Sequence, residues 1–149
     1  MTQRILVAVD DSRESLAAAR TAARLAKDLQ ALVRIFIVVE DDGVGEEVER
    51  VSEPGSRERR RQAASNLLEY VRREVCAEGV SPSVVDVAQA AGNPFRQILE
   101  AARTWPADMI VMAVSDQRGV VSNYVGSVTE QVIEFADCPI LVVPAPAPR

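Results

Sequence analysis

The sequence predicts an α/β fold: a single doubly wound domain, in which a five-stranded parallel sheet carries helices on both faces. Two continuous apolar runs, "ILVAV" (5–9) and "MIVMAV" (109–114), read as strands buried on both sides. Stretches of helical periodicity alternate with the strand runs, as crossover-connected parallel strands require. Hydrophobic residues make up 48% of the chain while aromatics are only 4%, so the core must be built from Val, Ile, Leu and Ala.

After the first strand, "DDS" offers capping oxygens at Asp11 or Ser12, and Leu16, Ala19, Ala23, Ala26 and Leu29 recur at helical spacing to about residue 30. "VRIFIVV" (33–39) reads as the second strand, and the acidic, glycine-bearing segment 40–55 as a long surface loop. A helix follows, with Leu67, Val71 and Val75 on one stripe and Gly79 as its stop. "SVVDVAQA" (83–90) is a less apolar strand, and its Asp86 and Gln89 suit a sheet edge. "GNP" (92–94) starts a short helix through Ile98, Leu99 and Ala102. The fourth strand leads through a loop to a helix over 127–136, and "PILVV" (139–143) closes the sheet. Residues 1–144 form the domain, and 145–149 a flexible Pro/Ala-rich tail.

At 149 residues the chain fits one domain. The net charge of −5 and a pI near 4.8 argue against broad nucleic-acid binding. Arg57, Arg59, Arg60 and Arg61 are interrupted by Glu58 and lack interleaved aromatics, so they read as a solvated helix face. Trp105 and Tyr124 read as packing residues. With no histidine, the chain cannot assemble a Ser-His-Asp triad or an imidazole metal site. No apolar run approaches the roughly 20 residues of a membrane span. The start of the chain shows no signal-peptide pattern, and Cys76 and Cys138 form no CxxC pair, so a cytoplasmic protein with two reduced, buried thiols is expected.

The two most apolar strands should lie centrally and side by side, with the winding direction reversing between them. Ligands bind at the carboxyl ends of strands at such a switch point. "DDS", "GNP" and the stretch "AVSDQRGVVSNYVGSV" (113–128) then surround one crevice.

At these residues the chain resembles the universal stress protein (UspA-like) family over essentially its whole length. The resemblance is carried by "ILVAVDDS", "GNPFRQILEAA", "ADMIVMAV" and "GSVTEQVIEFADCPILVV", in that order and spacing. It implies strand order 3-2-1-4-5, pairing into homodimers, and a stress-response role. Some members bind ATP and others do not. The ATP-binding members carry G-x-x-G, nine residues, then G-[S/T] after the fourth strand. Here Gly126 and Ser127 supply the second half, but Ala113 and Asp116 replace the two loop glycines, and Gly119 is three places out of register.

Glycine in a phosphate loop permits unusual backbone angles and close approach of amides to phosphate. Asp116 tolerates a left-handed backbone but adds a carboxylate, and a like charge about 4 Å from phosphate costs roughly 4 kcal/mol at an effective dielectric of about 20. Arg118 could offset it, as could a divalent cation, and Asp116 could equally serve only to bond within its own loop. The resemblance matches Asp10 to an aspartate near ribose and adenine, Val38 to an adenine contact, and Gly92 and Asn93 to the loop after the third strand. Each also has a plain structural reading: a cap for Asp10, core for Val38, a turn before Pro94 for Gly92 and Asn93. Gly126, Ser127 and Thr129 sit at a helix N-terminus, which either binds an anion or is simply capped.

Two functions follow. One is a non-enzymatic stress-response or regulatory domain with a degraded nucleotide loop, acting as a homodimer through Ile140, Leu141, Val142 and Val143 and through contacts with protein partners. The apolar last strand at a sheet edge invites pairing with a second copy. This reading expects no cofactor, no metal site, no catalytic residue, no nucleic acid and no membrane. The other is an ATP- or AMP-binding sensor, with or without Mg, that retains Asp10, Gly126 and Ser127. An enzyme has little support, since there is no GxxxxGK[ST] lysine and no histidine base.

Overall fold

The computed structural model describes residues 2–40, 55–114 and 126–144. In chain order the elements are β1 (Arg4–Ala8), α1 (Arg13–Leu29), β2 (Leu32–Glu40), α2 (Ser56–Ala77), a single 3-10 turn (Pro82–Val84), β3 (Val85–Gly92), α3 (Pro94–Thr104), β4 (Met109–Ala113), α4 (Ser127–Phe135) and β5 (Ile140–Val143). The five strands form one all-parallel sheet in the order β3-β2-β1-β4-β5. The apolar runs expected to be central are therefore neighbours: Ile5, Leu6 and Val7 pair with Met109, Ile110 and Val111. Chain winding reverses between them, and the switch point lies beyond Ala8 and Ala113.

Because strand side chains alternate, β1, β2 and β4 each feed two cores. On one face Ile5, Val7, Val33, Ile35 and Val111 pack against α1 and α2. On the other, Leu6, Phe36, Ile110 and Met112 pack against α3 and α4. Helix α1 presents alanine to the sheet: Ala18, Ala19, Ala22 and Ala23 have no exposed surface. Small side chains let the helix backbone lie close over β1 and β4, and the interior then closes without aromatic bulk. Leu29, expected on that stripe, is instead exposed, since the helix end carries it past the sheet. On α2 the buried stripe runs through Ala64, Leu68, Val71 and Val75, with Leu67 only half-buried at its flank.

The basic side chains Arg57, Arg59, Arg60 and Arg61 are exposed on α2. Asp86 on the edge strand β3 pairs bidentately with Arg34 of β2, at 2.8 and 2.9 Å, and Arg34 also lies 4.7 Å from the ring centroid of Trp105. That cross-strand pair, lying over the sheet face beside Trp105, accounts for a polar residue in the strand. Cys76 and Cys138 are free and only half-buried, which corrects the expectation of two buried thiols. Among the described residues no helix is long and apolar enough to cross a membrane. Tyr124, most of the 40–55 segment and the tail 145–149 lie outside the described residues.

Candidate functional site

A crevice of about 200 Å³ opens at the switch point, over the carboxyl ends of β1, β2 and β4 and beside the starts of α3 and α4. Each wall follows from a local sequence signal.

Beyond β1, "DDS" folds into an interlocked cap. The Asp10 Oδ1 accepts from the Ser12 amide at 2.8 Å, and the Ser12 Oγ accepts from the Ser15 amide at 3.1 Å, as an N-cap does. The Asp10 amide in turn donates to the Ser15 Oγ at 2.8 Å. Asp10 thus does both things open to it: it organises the start of α1, and it lines the crevice.

The floor comes from β2 by the two-residue period. Phe36 and Val38 face the crevice while Ile35 and Ile37 point into the opposite core, and Glu40 continues the crevice-facing series at the strand's end. Opposite Glu40 in the sheet stands Gly92, so no side chain flanks the Glu40 carboxylate from β3. Gly92 has a φ of 133°, which favours glycine; an added Cβ would lie 3.2 Å from the Gln97 Nε2. Asn93 caps α3, its Oδ1 accepting from the Arg96 amide at 3.3 Å. Gly92 and Asn93 do not line the crevice themselves; they set the angle at which Pro94 and Ile98 enter it.

The far wall joins β4 to α4. The Gly126 amide donates to the Val114 carbonyl at 2.9 Å, and the buried Thr129 donates its hydroxyl to the Ala113 carbonyl at 3.1 Å. The first turn of α4 is thereby bound to the end of β4, with Ala113, Gly126 and Thr129 all on the crevice. Ser127, at the same helix start, is exposed and not part of the lining. Asp116, Arg118 and Gly119 lie outside the described residues.

Of the residues singled out in the sequence, Asp10, Val38, Ala113, Gly126 and Thr129 converge on one cavity. Lining residues missed include Phe36, Glu40, Ile98, Met112 and Val128. The first two were within reach, because they share the parity of Val38 along β2. Among the described lining residues the only ionisable side chains are the carboxylates of Asp10 and Glu40, and none is cationic. The crevice can therefore hold a flat apolar group against Phe36, Val38 and Met112 and accept hydrogen bonds at its rim. No group of three or more His, Cys, Asp or Glu suited to a metal occurs among the described residues.

A model of the universal stress protein family matches residues 1–144. A universal stress protein of Methanocaldococcus jannaschii is 33% identical over 145 residues, covering 97% of this chain and 83% of the relative. Among solved structures, the universal stress protein UspA from Lactobacillus plantarum superposes with a TM-score of 0.83 at 24% identity, over 95% of this chain and 97% of that one, a likeness of fold. Two further neighbours hold nucleotides. One is a universal stress protein in complex with cAMP (TM-score 0.71, 19% identity, 95% of each chain). The other is a universal stress protein from Archaeoglobus fulgidus in complex with dAMP (TM-score 0.65, 20% identity, 95% of this chain and 97% of that one). With its sheet order, its switch-point crevice and these matches along its length, the chain belongs to the universal stress protein family.

Proposed function

We propose that this protein is a non-enzymatic regulatory member of the stress response that acts as a homodimer and whose nucleotide loop is degraded at its phosphate end. Proteins of this family are generally stress-response proteins rather than classical enzymes, and are commonly oligomeric. The observation that carries this reading is a crevice lined by Phe36, Val38 and Asp10 beside a sequence motif in which Ala113 and Asp116 stand where ATP-binding members have glycine. The absence of histidine and of a P-loop lysine supports a binding rather than a catalytic role. The edge strand β5, with Ile140, Leu141, Val142 and Val143 all half-buried, supplies the pairing surface for a second copy.

The crevice itself favours a second reading, an adenine-nucleotide sensor in which Asp10, Val38, Gly126 and Thr129 suffice for binding, with Ser127, Gly92 and Asn93 shaping the surrounding loops. The cAMP and dAMP complexes of the structural neighbours support it. Thermal-shift series with ATP and AMP, with and without Mg, separate the two. A sensor gains stability as the logarithm of ligand concentration. A dimeric regulator with a degraded loop gives no nucleotide response and assembles as its own concentration rises.

A further inference from the structure

We infer that the crevice selects against phosphate charge and takes a nucleoside, or a nucleotide of at most one phosphate, in preference to a polyphosphate, with Glu40 as a specificity-determining residue. This rests on the sensor reading of the site, and it uses observations that reading does not need. Glu40 and Asp10 both line the crevice, on the face shared with Phe36 and Val38. Both are exposed at its rim. The lining described brings no cation to balance them. Arg60 of α2 donates from its guanidinium to the Glu40 main-chain carbonyl at 3.3 Å and lines an adjoining pocket with Asp10 and Glu40, but it is not part of the crevice lining.

The chemistry matches a neutral ligand. Phe36, Val38, Ile98 and Met112 form an apolar slot suited to a purine ring. Asp10 is an acceptor only, and its complementary partner is a hydroxyl donor, which a ribose presents and a phosphate does not, while Glu40, at the end of β2, acts on the ligand through its charge alone. Each phosphate added to such a ligand brings negative charge towards both carboxylates. At a partly solvated rim that repulsion amounts to about threefold to tenfold in affinity per added charge, and it weakens as salt rises.

The test is calorimetric titration of the full chain with adenosine, AMP and ATP without divalent cation, at low and high salt, on the wild type and on Glu40→Gln. The expected order is adenosine at least as tight as AMP, and AMP tighter than ATP, with the spread narrowing in high salt. Glu40→Gln should tighten AMP by about threefold and ATP by more, while moving adenosine by less than about twofold. ATP binding tightest in the wild type overturns the inference, as does a Glu40→Gln variant that shifts adenosine and AMP alike. Either result leaves the sensor reading standing. If none of the three binds, sensor and inference fall together.

Discussion

The hydroxyl of Thr129 reaches 3.1 Å to the carbonyl of Ala113 and, with Thr129 only 5% exposed, pins the first turn of α4 to the end of β4. The bond ties together the two elements that the 114–126 connection joins. Thr129→Val keeps the shape and strands the Ala113 carbonyl. It should cost about 1–2 kcal/mol in urea unfolding, whereas Thr129→Ser should retain most of that. Equal losses in the two variants would mean that methyl packing, not the hydrogen bond, holds the junction.

The cap beyond β1 gives a second expectation. Ser12→Ala removes the acceptor of the Ser15 amide and should destabilise the fold by about 1 kcal/mol. Because Asp10 is tied to both Ser12 and Ser15, the same change should also loosen the crevice. Hydrogen exchange at the amides of 10–15 reads this directly, and unchanged protection there would refute the coupling.

At the sheet edge the hydrogen-bond phase of β5 makes an assembly test clean. The Pro139 and Val143 carbonyls accept from Ile110 and Val114, so residues 139, 141 and 143 face β4, and the amides of Ile140 and Val142 face outward. Val142→Pro then removes an outward donor without breaking the β4–β5 ladder. Sedimentation equilibrium should show a dimer for the wild type, as proposed, and a folded monomer for the variant. A dimer that persists would place the interface away from β5.

Cys138 supplies a pH expectation. Burial raises its thiol above the ordinary value, and the nearby Asp137 and Asp108 add to the effect. At a given pH less thiolate is present, so alkylation of Cys138 should lag behind that of a free model thiol and catch up only in more alkaline solution. The sign for stability follows. The folded state holds this proton more firmly than the unfolded chain, so the contribution is complete below the unfolded pKa and is lost as pH rises through the raised, folded value. A Cys138→Ala variant should remove that alkaline component from the stability profile.

How much was legible in the sequence depended on which interaction set each feature. The central pairing of β1 with β4 follows from two runs too apolar to tolerate an open face, and the structure places them side by side. Helix stripes are harder at their ends: Ala19, Ala23 and Ala26 are buried as their spacing predicts, whereas Leu29 has the right spacing but lies beyond the sheet. In the crevice, Asp10, Val38, Gly126 and Thr129 were found through motif positions. Phe36 and Glu40 needed the strand parity, and Met112 and Val128 needed the tertiary arrangement, because nothing local marks a core residue as a wall. For Gly92 and Asn93 the sequence offered both a site and a plain turn before Pro94, and the turn is what the structure describes. Their turn chemistry is real, and its product is the α3 cap.

On the proposed reading, the replaced glycines weaken polyphosphate binding beyond the repulsion that Glu40 adds at the rim. Calorimetric titration of ATP against the wild type and the Ala113→Gly, Asp116→Gly double variant, with Mg in both, measures it most directly. An affinity gain of at least about tenfold is expected in the double variant, since one carboxylate leaves and bare amides can approach the phosphates. Equal affinities in the two proteins would contradict it.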